Sequence, residues 1–212
     1  RTMMNVKRTA KALAVVSGIA VTLGMAGNAS ALTFGSIPDG ASNEGVMDVY
    51  GTATRTGWYG GNVYVVGADS NTEMQVEYFG AEAGFNNLFQ WEGATQFATG
   101  GGGDTFTGSA LASFIDTSIV SGLLDFSFLV NGGFAVDNGS NPDDSTGNVG
   151  PNFFASFVNP GPTSLYGSVL DLWFDDGGAG NDDNHDDMMV RLSIKGGSFN
   201  VPIPAAVWLF GS

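Results

Sequence analysis

Residues 188–195 run Met-Met-Val-Arg-Leu-Ser-Ile-Lys, and apolar side chains recur at every second position along them. Successive side chains of a β-strand point to opposite faces of its sheet, so a period of two predicts a strand with one buried face. The side chains expected to face a core are those of Met188, Val190, Leu192 and Ile194, and those expected to face solvent are Met189, Arg191, Ser193 and Lys195.

The same alternation recurs along the chain, in residues 62–66, 73–79, 123–130 and 168–174. Clusters of Gly, Asn, Asp and Pro separate these windows, and only residues 108–117 have helical character. We therefore predict an all-β fold, an antiparallel β-sandwich that is jelly-roll-like or immunoglobulin-like. Residues 100–103 and 138–151 are predicted to be long polar loops within one domain, since too little chain flanks either of them to build a second core.

The composition limits the partners of this 212-residue chain. The residues that follow Lys11 contain three basic side chains against 21 acidic ones, a net charge of −18. A surface this anionic repels phosphate backbones and acidic lipid headgroups, so nucleic acid is excluded as a partner and cations are favoured. The absence of cysteine from the sequence excludes a disulfide framework, a cysteine zinc site and a thiol nucleophile.

The N-terminal segment has the pattern of an export signal. A basic stretch at 4–11 precedes an apolar run at 12–27, and Asn-Ala-Ser-Ala follows at 28–31. This order predicts a secretory signal peptide cleaved after Ala31, with the β-sandwich domain at 32–198 and a tail at 199–212. The alternative is a retained membrane anchor, which Ser17, Gly18, Thr22 and Gly24 disfavour because they interrupt the apolar run.

The acidic loop at 175–187 contains six carboxylates in thirteen residues and no Lys or Arg. Carboxylates held this close repel one another unless a cation neutralises them, and Ca²⁺ prefers six to eight oxygen ligands. We predict a Ca²⁺ site with the ligands Asp175, Asp176, Asp182, Asp183, Asn184, Asp186 and Asp187. The spacing of Asp182, Asn184 and Asp186 would place three oxygen side chains on one side of an extended loop. The alternative is a solvated acidic hairpin tip.

Two weaker candidates for metal binding remain. The loop at 137–148 contains three acidic residues, but its composition is typical of turns. His185, the single histidine, lacks a second His or any Cys to complete a zinc site, so we expect it to act as a spacer or to form a hydrogen bond.

Catalysis finds little support in the sequence, and we expect no enzymatic activity. The residues that could stack on sugar rings are Trp58, Tyr59, Trp91 and Trp173, although such aromatics are more often core residues of a sandwich. We find no nucleophile motif for a Ser-His-Asp arrangement, and the glycine run at 100–103 lacks the Lys and Ser or Thr of a phosphate-binding loop.

The tail at 201–212, Val-Pro-Ile-Pro-Ala-Ala-Val-Trp-Leu-Phe-Gly-Ser, resembles the start of a PEP-CTERM sorting signal. Pro202, Ile203 and Pro204 stand where that family has Pro-Glu-Pro, so Ile203 replaces the central Glu. The resemblance implies export, recognition by an exosortase, cleavage near 202–204 and release to the cell surface or exopolysaccharide matrix of a Gram-negative bacterium. Residues 173–193 are similar to the acidic hairpin found near the end of many such proteins and of calcium-associated surface domains, which supports cation binding by Asp182, Asp183, Asp186 and Asp187.

These features together predict a secreted, non-enzymatic protein that binds Ca²⁺ and serves as a structural or adhesive component of the extracellular matrix. Exposed sheet edges offer a route to self-association and to filaments. Matrix polysaccharide is the other expected partner. The alternative is a carbohydrate-binding module of the same matrix, and a glycan hydrolase ranks third.

Overall fold

The computed structural model describes residues 32–38, 43–101, 103, 105–145, 150–177 and 184–202, which form three antiparallel sheets and one helix. The predicted signal peptide at 1–31 and residues 203–212 of the predicted tail lie outside the described residues. No helix in the described ranges is long and apolar enough to cross a membrane.

A seven-stranded sheet forms the centre of the molecule, and all of its ladders are antiparallel. In spatial order its strands are β1 (Thr33–Ile37), β2 (Arg55–Tyr59), β11 (Asn152–Asn159), β13 (Val169–Asp175), β14 (Met188–Lys195), β4 (Glu73–Gly80) and β7 (Ala112–Asp116).

Two four-stranded sheets complete the β structure. The first, called the Asn87 sheet below, contains β10 (Phe134–Asp137), β9 (Phe126–Val130), β5 (Asn87–Trp91) and β6 (Ala94–Ala98) in that order. The second contains β12 (Tyr166–Gly167), β15 (Ser198–Asn200), β3 (Tyr64–Val66) and β8 (Gly122–Leu123).

The main core joins the seven-stranded sheet to the two smaller sheets. Phe128 of β9 stacks on Phe174 of β13 with ring centroids 4.6 Å apart, and Phe199 of β15 belongs to the same buried cluster. Each fully buried side chain of this size stabilises the fold by about 1.5–3 kcal/mol relative to exposure. The prediction of an all-β antiparallel sandwich is confirmed, and strands lie within each of the five alternating windows.

The helix α1 (Glu44–Tyr50) covers the opposite face of the seven-stranded sheet. Asn43 caps its N-terminus by accepting a 2.6 Å hydrogen bond from the backbone N–H of Val46, and Gly51 ends the helix with a left-handed φ of 68°. The Asn43 side chain also donates to the backbone carbonyl of Asn184, which ties the helix to the acidic loop. The sequence analysis did not predict this helix.

A second core beneath α1 corrects the prediction for Met189. Met189 was expected to face solvent, but it is fully buried together with Phe154 and Trp173 of the neighbouring strands. Phe106 belongs to the same buried cluster and stacks on the ring of Trp173. The seven-stranded sheet is therefore covered on both faces at its centre. The alternation of apolar side chains predicted the main core on one face but not the second core beneath α1 on the other.

Residues 108–117 also differ from expectation. Their predicted helical character is wrong, because β7 occupies residues 112–116 and forms an edge of the seven-stranded sheet against β4. Side chains of β7 are largely exposed whether they are polar or apolar, so this short edge strand lacks the alternation of a half-buried strand.

A buried ion pair lies on the α1 face of the seven-stranded sheet. Arg191 donates two hydrogen bonds, of 2.7 and 3.1 Å, to the carboxylate of Asp171, which is completely buried. The Tyr50 hydroxyl donates to the same carboxylate, and burial together with the charge of Asp171 raises the pKa of Tyr50 above its ordinary value. Two residues on this face thus donate hydrogen bonds to the buried Asp171 carboxylate.

The two ends of the described chain meet at Gly61. A Cβ atom on Gly61 would lie 2.6 Å from Val201 Cγ1 and 3.3 Å from Leu32 Cδ1, so both residues pack against this glycine. The backbone N–H of Val201 also donates a 2.8 Å hydrogen bond to the carbonyl of Leu165.

Candidate metal site

The end of the β13–β14 ladder brings together carboxylates that are eleven or twelve positions apart in sequence. Phe174 pairs with Met188 across the ladder, and the N–H of Asp187 donates a 3.1 Å hydrogen bond to the carbonyl of Phe174. Asp175 and Asp176 therefore leave β13 beside Asp187, which precedes β14. The alternation that builds the two strands thus also fixes the register of these acids.

Asp175, Asp176 and Asp187 form a compact cluster, hereafter the three-carboxylate cluster. Each contributes an oxygen atom that lies within 4.8 Å of the oxygens of the other two. Asp175 and Asp176 are buried, and Asp187 is half-buried. Two ligands on opposite sides of a Ca²⁺ ion lie about 5 Å apart, so the oxygens fit within one calcium coordination shell.

Backbone donors hold two of these carboxylates in place. The N–H of Asp176 donates a 2.8 Å hydrogen bond to Asp187 Oδ2, and the N–H of Gly177 donates a 2.7 Å bond to Asp175 Oδ1. Bonds of this kind orient the carboxylates before any ion binds, which lowers the cost of organising a site.

The electrostatics of the cluster favour a cation. The pKa of Asp187 is raised from 3.8 to about 8, chiefly by burial, while the N–H of Asp176 opposes the shift. The negative charges of Asp176, Asp175 and Asp186 raise the same pKa further. A divalent cation would relieve both the desolvation and the mutual repulsion, so it would favour the ionised form of Asp187.

One contact from the Asn87 sheet reaches the cluster. The side-chain amide of Asn87 donates a 2.8 Å hydrogen bond to Asp176 Oδ2 and a longer 3.4 Å bond to the carbonyl of Asp187. The sequence analysis missed Asn87. It lies 88 positions before Asp175, and nothing in the local sequence distinguishes it from an ordinary turn residue.

The other predicted ligands occupy different positions. Asp182 and Asp183 lie outside the described residues. The backbone carbonyl of Asn184 accepts the hydrogen bond from the Asn43 side chain. Asp186 is buried, and its backbone carbonyl accepts a 2.7 Å hydrogen bond from the N–H of Glu82. The left-handed backbone of His185, with a φ of 57°, interrupts the extended path on which the predicted alternation of ligands depends.

His185 is a buried residue of the core. Its Nε2 lies 2.8 Å from Asn152 Oδ1, and its ring packs edge-on against Tyr59 and Phe154. The described residues place no cysteine or second histidine beside it, so the donors around it do not resemble a zinc site.

The described part of the 137–148 loop forms hydrogen bonds to distant backbone and side-chain groups of the sandwich. Asn138 bonds to both backbone groups of Val63, and Asn141 bonds to both backbone groups of Phe153. Asp143 accepts a 2.6 Å hydrogen bond from Thr33 Oγ1. These contacts fit the turn interpretation of this loop.

The aromatic residues considered for sugar stacking are mostly inaccessible. Tyr59, Trp91 and Trp173 are buried, as the preferred interpretation of them as core residues predicts, so their rings are not available to stack on a sugar. Trp58 is half-buried and donates through Nε1 to the carbonyl of Ser164. Trp208 lies outside the described residues.

Comparison of the chain with models of known families, with curated proteins and with solved structures finds no match.

Proposed function

We propose that this chain is a secreted, non-enzymatic β-sandwich that binds Ca²⁺ at the three-carboxylate cluster and acts as a structural or adhesive component of the extracellular matrix. Calcium binding is supported by one observation: a carboxylate oxygen from each of Asp175, Asp176 and Asp187 lies within 4.8 Å of the other two, and two of the three side chains are buried. Buried carboxylates are stable when they are paired, protonated or bound to a metal.

The choice of Ca²⁺ follows from the donors. All three side chains offer hard oxygen ligands, which suit Ca²⁺ and Mg²⁺ and disfavour softer metals. Mg²⁺ requires near-ideal octahedral geometry at about 2.0–2.1 Å and keeps several waters, whereas Ca²⁺ tolerates an irregular shell of protein oxygens. A partly buried, protein-built cluster therefore favours Ca²⁺.

The proposed setting is the surface or matrix of a Gram-negative bacterium. The export pattern at 1–31 and the resemblance of Pro202, Ile203 and Pro204 to a PEP-CTERM signal support secretion and handling by an exosortase. The net charge of −18 after Lys11 suits an environment rich in divalent cations.

Self-association and binding to matrix polysaccharide are the proposed interactions. β7 is an edge strand of the seven-stranded sheet, contains no Lys or Pro, and leaves the Ile115 side chain 67% exposed. Edge strands without such protective residues can pair with another chain.

Thermal unfolding of the full chain in CaCl₂ and in EDTA tests calcium binding. A ligand bound only by the native state at a hundredfold excess over its Kd adds about 2.7 kcal/mol, which raises the Tm of a domain of this size by about 5–10 °C. The double variant Asp175→Asn/Asp187→Asn should lose this shift. Asp48→Asn/Asp125→Asn, which makes the same change of charge at two exposed sites, is the control and should keep it. An unchanged Tm of the wild type in EDTA would show that the cluster binds no Ca²⁺.

A further inference from the structure

Asn87 is held rigidly at the start of β5. Its N–H donates a 2.8 Å hydrogen bond to Thr99 Oγ1, and its carbonyl accepts a 2.8 Å bond from the N–H of Thr99. Both residues are buried, and Asn87 has no exposed surface. The side chain therefore projects from a fixed backbone toward the three-carboxylate cluster, where it contacts Asp176.

The two polar atoms of the Asn87 side-chain amide differ in whether they have a hydrogen-bond partner. Nδ2 donates to the cluster, but the buried Oδ1 has no hydrogen-bond partner among the described residues. A buried carbonyl oxygen without a partner is unfavourable, and native proteins contain few of them. The Asn87 amide therefore has an oxygen that still requires a positively charged or donating partner.

Rotation of the amide by half a turn would exchange Nδ2 and Oδ1. Without a metal, this rotation would place the Asn87 oxygen against Asp176 Oδ2, and two oxygens at 2.8 Å repel each other. With a cation between them, two oxygens at this separation are ordinary neighbours in one coordination shell. The metal-free hydrogen bond and the metal-bound arrangement thus need the same side-chain position.

We propose that Asn87 Oδ1 is a ligand of the Ca²⁺ bound by Asp175, Asp176 and Asp187. Because Asn87 belongs to the Asn87 sheet and the three acids belong to the β13–β14 end of the seven-stranded sheet, one ion ties the two sheets together. This inference rests on the proposed function, since it requires that the cluster binds Ca²⁺. It adds the ligand from the second sheet and the resulting link between the sheets.

Calorimetric titration of the full chain with CaCl₂ tests the ligand. Asn87→Ala removes the oxygen and should weaken binding by about tenfold or more. Asn87→Asp keeps an oxygen at the same place and adds charge, so it should bind Ca²⁺ at least as tightly as the wild type while its metal-free form melts at a lower temperature. Asn86→Asp adds the same charge at an exposed neighbour and should change the Kd by less than about threefold.

Luminescence lifetimes of bound Tb³⁺ in H₂O and D₂O separate a ligand from a hydrogen-bond donor. If Asn87 Oδ1 is a ligand, a water replaces it in Asn87→Ala, and the number of waters on the ion rises by about one. An unchanged number of waters in Asn87→Ala would show that Asn87 only donates to Asp176, which would overturn the proposal. Wild-type affinity in Asn87→Ala, together with lost binding in Asp187→Asn, would also overturn it and leave the proposed function standing. Absence of any Ca²⁺ binding by the wild type would overturn both.

Hydrogen exchange of the wild-type chain tests the link between sheets without any substitution. CaCl₂ should slow exchange of the β5 amides as well as those of β13 and β14, relative to EDTA. Slower exchange restricted to residues 169–195 would show that the ion stabilises only the hairpin, and the proposed link would be wrong.

Discussion

At the scale of single residues, the acidic loop shows what composition can and cannot predict. Six carboxylates in thirteen residues correctly suggested close contact between acids, and Asp175, Asp176 and Asp187 do converge. Asn87 could not be predicted, because its proximity to these acids depends on how two sheets pack and leaves no trace in the local pattern. The sequence of one loop is enough to predict candidate metal ligands within that loop, whereas a contact from a distant strand can be identified only in the folded structure.

The raised pKa of Asp187 predicts a pH dependence of the metal-free chain. Its pKa is about 8 in the folded state against 3.8 ordinarily, so between these values the folded chain holds a proton that the unfolded chain has lost. The free energy of unfolding contributed by this group therefore falls as pH rises from about 4 to 8, at a rate of up to about 1.4 kcal/mol per pH unit.

Urea unfolding in EDTA at several pH values measures this slope. Asp187→Asn should flatten it, and CaCl₂ should flatten it in the wild type because the ion favours the carboxylate. Identical pH profiles for the wild type and Asp187→Asn in EDTA would contradict the assignment of this slope to Asp187.

The ion pair between Asp171 and Arg191 predicts a large effect of a single substitution. Arg191→Met would leave the completely buried Asp171 carboxylate without its bidentate donor, and we expect a loss of about 3–5 kcal/mol in the free energy of unfolding. Lys195→Met is the matched control on the same strand. Lys195 is 82% exposed and pairs with Glu73 at 3.1 Å, so its loss should cost less than about 1 kcal/mol.

Denaturant unfolding distinguishes these two outcomes. The double variant Asp171→Leu/Arg191→Met removes the stranded charge and should recover much of the loss. Equal, small effects of Arg191→Met and Lys195→Met would show that the buried carboxylate finds other donors.

At the scale of elements, the strands with one buried face were the most predictable part of the fold. Residues 73–79 and 188–195 alternate clearly, and they pair as β4 and β14. The helix α1 was missed because seven residues are too few for a clear helical period, although Asn43 and Gly51 are good cap residues. The burial of Met189 was missed for the same reason, since α1 creates the second core that covers it.

The Asn43 cap predicts how α1 depends on the acidic loop. Asn43→Ala removes the bond to Val46 and the bond to Asn184, and it should lower the free energy of unfolding by about 1–2 kcal/mol. Asn43→Asp keeps an acceptor for Val46 but loses the donor for Asn184, so its loss should be smaller. Urea unfolding of both variants measures the difference, and an Asn43→Asp variant as unstable as Asn43→Ala would show that the cap bond contributes little.

At the scale of the whole molecule, the net charge predicts how salt should affect the proposed self-association. A chain with a net charge of −18 after Lys11 resists contact with its own copies, and a Debye length of about 8 Å at physiological salt leaves close contacts repulsive. We expect CaCl₂ to promote assembly more than NaCl at equal ionic strength, because divalent ions can bridge carboxylates.

Light scattering and negative-stain microscopy in CaCl₂, MgCl₂ and NaCl at matched ionic strength measure this association. The Asp175→Asn/Asp187→Asn variant separates binding at the cluster from bridging by surface carboxylates. Equal behaviour in all three salts would contradict assembly through cation bridges.

The meeting of Leu32 and Val201 at Gly61 has a mechanical consequence. Any segment attached before Leu32 and any segment attached after Val201 leave the body at one pole, so a pull on both would open that pole instead of stretching the sheets along their strands. A load carried through the two ends would therefore bypass the central ladders between β13, β14 and β4. Tension applied by a neighbouring copy paired at the β7 edge would instead act on the ladder between β4 and β7 and, through β4, on the central ladders.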